Sequence, residues 1–151
     1  MVSDTYLDSL EMTVARVIAN ERDSRGGGKE GNNLMGHQID DAHYMGVLGE
    51  IAFSKIHNTF FNMVSLEIPW DIIYKGYSLD VKCNKTGRFN INPKCLEKNI
   101  EGFAYVQWHE GNKFEYHGII SRKRILRDYE PHEAAHSPCY TIPLDDLIKE
   151  I

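Results

Sequence analysis

Apolar positions near the start of the chain recur at helical spacing. Leu7, Leu10, Val14 and Val17 or Ile18 predict an amphipathic helix over residues 4–21, with that stripe as its apolar face. DSRGGGKEGNNLMGHQ, residues 23–38, breaks the period and reads as a mobile loop. Its glycines suggest a phosphate cradle, but the order G-x-x-x-x-G-K-[S/T] is absent, which rules out a P-loop. Asp40 or Asp41 can cap a second helix running to about His57, with Met45, Leu48, Ile51, Ala52 and Ile56 as its apolar stripe. Gly46 and Gly49 would weaken that helix unless something packs closely against them.

From MVSLEIPWDII, residues 63–73, the pattern turns to strands. YKGY offers a tight turn at Lys75-Gly76, and RFNI (88–91) a further strand. Asn92 before Pro93 signals the start of a short helix in PKCLEKNI. FAYVQWH and FEYHGII flank EGNK and predict a hairpin, and Ser121 can cap a helix through Tyr129. CYTIPLDDLIKEI predicts a short strand and a terminal helix started by Pro143. Neither a repeat nor a second domain is visible, so residues 1–151 are read as one α/β (α+β) domain, a mixed, mostly antiparallel sheet flanked by helices.

Composition narrows the class without naming it. With 42% hydrophobic and 26% charged residues the chain is ordinary for a globular protein. No segment reaches the roughly 20 apolar residues of a membrane span, so no membrane partner is expected. Neither a signal peptide nor a cysteine framework is evident, and three widely spaced cysteines suit a reducing, cytoplasmic setting. The net charge of −5 is unevenly spread. Lys75, Lys82, Lys85, Arg88, Lys94 and Lys98 crowd one stretch, and Arg122, Lys123, Arg124 and Arg127 another, while residues 128–151 are acidic. Such a distribution permits a basic face able to steer a polyanion.

The chemistry concentrates in SLDVKCNK, residues 78–85. Alternation sends Leu79, Val81 and Cys83 to one face of a strand, and Asp80 and Lys82 to the other. If Lys75 and Gly76 form a two-residue hairpin loop, opposed residues have numbers summing to 151. Tyr74 then faces Tyr77, Ile72 faces Leu79, and Asp71 faces Asp80. Opposed side chains sit about 4.5–5.5 Å apart at Cβ, where two carboxylates repel unless a proton or a cation lies between them. Oxygen-only ligands favour a hard ion such as Mg²⁺ or Mn²⁺. Lys82, one repeat beyond Asp80, could pair with a carboxylate, hold a phosphate or orient an attacking water.

PWD (Pro69 to Asp71) and DVK (Asp80 to Lys82), joined by a short hairpin, resemble the PD-(D/E)xK nuclease superfamily with its restriction-endonuclease-like fold. Glu50, in the helix MGVLGEIAFSKI, matches the acidic residue that many members carry before the sheet. The resemblance covers residues 42–85 and is nearest to small Holliday-junction resolvases. It departs from the pattern in two places, since Trp70 separates the proline from Asp71 and the second acid is aspartate, not glutamate. It implies that Glu50, Asp71, Asp80 and the Val81 carbonyl bind Mg²⁺ or Mn²⁺, and that Lys82 positions or helps deprotonate the attacking water. Lys85 and Arg88 could contact backbone phosphate. The expected function is metal-dependent hydrolysis of DNA, with RNA open to the same chemistry and a homodimer suited to junction cutting. The alternative is a non-catalytic nucleic-acid-binding module on the same fold.

HEAAH, residues 132–136, competes with this reading, because H-E-x-x-H on a helix binds zinc in metallopeptidases. Pro131 and Pro138 bracket it and leave little room for a helix. His37, His43, His57, His109 and His117 share no ligand spacing.

Overall fold

The computed structural model describes residues 3–26, 36–61, 70–133 and 137–151, with the backbone alone at 25–26 and 36–41. Lys75 (φ 50°) and Gly76 (φ 84°) both take positive φ, the twist of a two-residue hairpin turn. That turn joins β2 (Ile72–Tyr74) to β3 (Tyr77–Asn84), and the register is the expected one, Tyr74↔Tyr77 and Ile72↔Leu79. β3 then pairs in parallel with β5 (Gly102–Trp108), which pairs antiparallel with β6 (Lys113–Ser121). β1 (Asp4–Tyr6) closes the far edge, giving a five-stranded sheet in the order β1-β6-β5-β3-β2. The fold is therefore α+β, with one parallel pair in a mixed sheet.

The alternation of β3 and β5 divides the molecule into two cores. Leu79, Val81, Ala104 and Val106 face α1 (Ser9–Gly26) and α2 (Gly36–His57), where Leu48, Ala52 and Phe53 are buried. Phe103 and Tyr105 face the opposite way, onto Phe89, Ile91, Leu96, Ile125 and Tyr140. These belong to a second sheet, β4 (Phe89–Ile91), β8 (Pro138–Ile142) and β7 (His132–Glu133), with α3 (Arg122–Asp128) and a 3-10 turn at Pro93–Glu97. Asn92 and Ser121 cap their helices as expected, accepting from the N–H groups of Lys94 and Arg124.

Four expectations need correction. The first helix begins at Ser9, because Asp8 and Glu11 exchange backbone-to-side-chain hydrogen bonds at 2.8 and 2.9 Å in a capping box. Residues 4–6 are instead drawn into the sheet by β6. Its buried face is Ala15, Ile18 and Ala19, small enough for α1 to approach α2, whereas Leu10, Val14 and Val17 lie exposed. The second helix starts before Asp40, at Gly36, so the loop read at 23–38 is helical at both ends, and 27–35 lie outside the described residues. The terminal helix shrinks to a 3-10 turn at Leu144–Asp146, because Ile148 exchanges backbone hydrogen bonds with Ile119 at 2.7 and 3.0 Å. Residues 62–69 of the strand-like stretch likewise lie outside the described residues.

The two glycines of α2 have different reasons to be there. A Cβ on Gly49 would sit 2.4 Å from Cys83 Cβ, so its absence lets α2 lie directly on β3. Among the described residues nothing lies within 4 Å of a Cβ on Gly46. Gly49→Ala is expected to lower unfolding free energy by about 1–3 kcal/mol, and Gly46→Ala to raise it by up to ~1 kcal/mol, as read by urea denaturation. Equal effects of the two substitutions would contradict this packing.

Candidate metal centre

β2 is short and β3 long, so the edge of β3 beyond Leu79 runs past the end of its neighbour. The regular ladder stops at Ile72↔Leu79. Asp71 turns its N–H onto the Leu79 carbonyl at 2.9 Å, and its Oδ2 accepts from the Val81 N–H at 2.8 Å. The side chain thus satisfies a strand-edge donor that a longer β2 would have paired. Extended backbone sends the N–H and C=O of one residue to the same edge, so the Val81 carbonyl faces this side too. The backbone pairing expected between Asp71 and Asp80 is not formed, yet their side chains meet.

Asp71 lies within hydrogen-bonding reach of both Glu50 and Asp80, making a chain of three carboxylates from α2, the bend before β2, and β3. Glu50 is 2% and Asp80 6% exposed, values rare for acids unless cations face them. Two cations do. Arg22 Nη1 donates to both oxygens of Glu50 at 2.9 and 3.2 Å, and Lys82 Nζ lies 2.8 Å from Asp80 Oδ2. Lys82 also approaches Cys95 Sγ at 3.7 Å.

Burial, and then the neighbouring charge of Glu50, push the Asp71 carboxyl up to about 7. Burial pushes Asp80 up to about 7 as well, with the Lys82 ammonium opposing and Asp71 adding to the rise. Glu50 is raised by burial against the pull of Arg22. For Lys82, burial is the largest influence and lowers the value, but Asp80, Cys95 and Asp71 together outweigh it and the pKa is raised. The ammonium therefore stays charged at neutral pH, while Asp71 and Asp80 compete for protons there.

Sequence reasoning named Glu50, Asp71, Asp80, Val81 and Lys82, and these residues stand together. It missed Arg22. Arg22 continues the buried face Ala15, Ile18 and Ala19 one turn on, a face that the more apolar stripe of Leu10, Val14 and Val17 concealed in the sequence. Among the described residues no three His, Cys, Asp or Glu side chains are arranged to hold a metal ion. Their oxygens are directed instead at Arg22, Lys82 and the Val81 N–H. The donor set still has the chemistry of a hard-cation site, being all oxygen and carrying more acid than base.

No protein-family model, curated protein or solved structure matches the chain.

The flanking charges divide into two groups. Lys85 and Arg88 are exposed on the turn after β3, where Asn84 Oδ1 accepts from the Thr86 N–H at 3.0 Å and Lys85 Nζ lies 4.1 Å from the Trp108 ring centroid. The second basic cluster is largely engaged. Arg124 and Arg127 pair with Asp128, Arg124 also with Asp146, and Arg122 Nε donates to the Leu96 carbonyl at 2.6 Å. HEAAH opens as strand, with His132 opposite Cys139 and Glu133 opposite Pro138, so the helix that H-E-x-x-H requires is not formed at its first two positions. Residues 134–136 lie outside the described residues.

Both aspartates have folded pKa values above their ordinary value of 3.8. Their protonated forms favour the fold, an advantage fully present below about pH 4 and lost as pH rises through about 7. Asp71→Asn removes one acid and keeps an oxygen for the Val81 N–H. In metal-free buffer the Tm of the wild type should fall between pH 5 and pH 8 by about 3 °C or more beyond the fall in D71N. Parallel Tm profiles would show that the acids carry no such tension.

Proposed function

We propose that the chain is a metal-dependent nuclease that hydrolyses DNA phosphodiester bonds, with junction or branched DNA as the narrower substrate class. The observation that carries this reading is the chain of carboxylates Glu50, Asp71 and Asp80 at the edge of β3 that β2 does not reach, with a charged lysine, Lys82, beside it. Glu50, Asp71, Asp80 and the Val81 carbonyl would hold Mg²⁺ or Mn²⁺. Bound there, the ion would polarise the scissile phosphate and lower the pKa of a coordinated water.

The chain's own groups supply the rest. Lys82 Nζ, kept protonated by Asp80, donates to the oxygen on which negative charge develops and does not act as a base. The Asp71 oxygen that takes the Val81 N–H is fixed by that bond, which orients its second oxygen. Lys85 and Arg88, on the turn that leaves β3, lie along the strand from Lys82 and suit contacts to backbone phosphate. No helix among the described residues is long and apolar enough to cross a membrane. The free thiols Cys83, Cys95 and Cys139 suit a cytoplasmic setting.

Cleavage of supercoiled, linear and four-way-junction DNA, and of a matched RNA, tests the reading with Mg²⁺, Mn²⁺ or EDTA. Wild-type cutting should require the metal, and Lys82→Ala and Asp80→Asn should each lower the rate by about 10²-fold or more. Cutting retained in both variants would contradict the assignment. Binding without cutting on every substrate would favour the non-catalytic module.

A further inference from the structure

We propose that Arg22 is a built-in stand-in for the divalent cation, a guanidinium that occupies Glu50 until a metal ion displaces it. The inference rests on the reading of the carboxylate chain as a metal centre.

The two cations of the site hold their acids differently. Lys82 is salt-bridged to Asp80 through Oδ2, at 2.8 Å, so Asp80 has a second oxygen to offer a metal ion without giving up its ammonium. Arg22 Nη1 takes both oxygens of Glu50, at 2.9 and 3.2 Å. Glu50 cannot serve a metal ion at full strength while it serves that group, because both of its oxygens already accept from Nη1. Nor can Glu50 go without a cation, since its side chain is 3% exposed and a buried carboxylate left alone is costly.

The exchange needs little movement. The Arg22 side chain is 20% exposed, and the residue stands near the C-terminal end of α1, outside the hairpin and α2 that carry the acids. A long side chain can carry its charged head outward into water with its stem still packed and without backbone movement. In the metal-free protein Arg22 ties α1 to α2 through Glu50. Once the ion is held, that tie is released.

The test is Mn²⁺ affinity, read from the free-ion electron paramagnetic resonance signal without any substrate. Arg22→Gln should bind Mn²⁺ roughly tenfold or more tightly than the wild type, while its metal-free Tm drops. Arg22→Lys, which keeps the charge with fewer donors, should fall between them. The tightening should largely vanish in the Glu50→Gln background, because it acts through Glu50 and not through general charge. Equal affinity in wild type and R22Q would overturn the inference and leave the metal centre standing. An effect of R22Q that persists undiminished beside E50Q would overturn it too. Should R22Q fail to fold, R22K decides: tighter than wild type supports displacement, and equal affinity overturns it. Absence of Mn²⁺ binding in every variant would overturn the metal centre together with the inference.

Discussion

A carboxylate taken out of water must be met by a proton, a hydrogen-bond donor or a cation, and the architecture around β3 is arranged by that requirement. Asp80 sits on a strand covered on both faces, Glu50 on the inner face of a helix, and Asp71 where the edge strand gives out. Each acid meets its need differently. Glu50 has a guanidinium, Asp80 an ammonium, and Asp71 a backbone N–H from the neighbouring strand. Three acids against two bases leave the cluster short of positive charge. Burial first, and then that shortfall, make Asp71 and Asp80 hold protons far above their ordinary range.

The surrounding fold keeps this cluster in place. Gly49 lets α2 lie against β3 at Cys83, and the next residue of α2, Glu50, is thereby brought to the carboxylates. The tight turn at Lys75-Gly76 fixes which residues of β2 and β3 stand together. The parallel β3–β5 pair supplies the wall behind Asp80 and Lys82, with Phe103 and Tyr105 as their neighbours across the ladder. Both neighbours are buried, which lowers the local dielectric and raises the stakes of every charge in the site.

Much of this was legible in the sequence wherever local chemistry decides the structure. The hairpin register followed from two residues, and the Ser121 cap and the β5–β6 hairpin from short turn signals. Elements set by distant partners were not legible. Residues 4–6 continue a helical period yet join β6, and Ile148 leaves a helix-like run to bond Ile119. Leu10, Val14 and Val17 made the more obvious apolar stripe, but the alanines on the other face allow closer packing on α2. In the site, Asp71, Asp80 and Lys82 were readable because one hairpin carries them. Arg22 was not, because 28 positions separate it from Glu50 and only the packing of α1 on α2 brings the two together.

The most direct measurement of the central claim is calorimetric titration of Mn²⁺ into the metal-free protein near pH 6.5, in two buffers of different ionisation enthalpy. If the carboxylate chain is the binding site, the ion must displace protons shared by Asp71 and Asp80. Binding heats should then differ between the buffers by an amount corresponding to about one proton released. Binding with no buffer dependence, or no binding at all, would contradict the account.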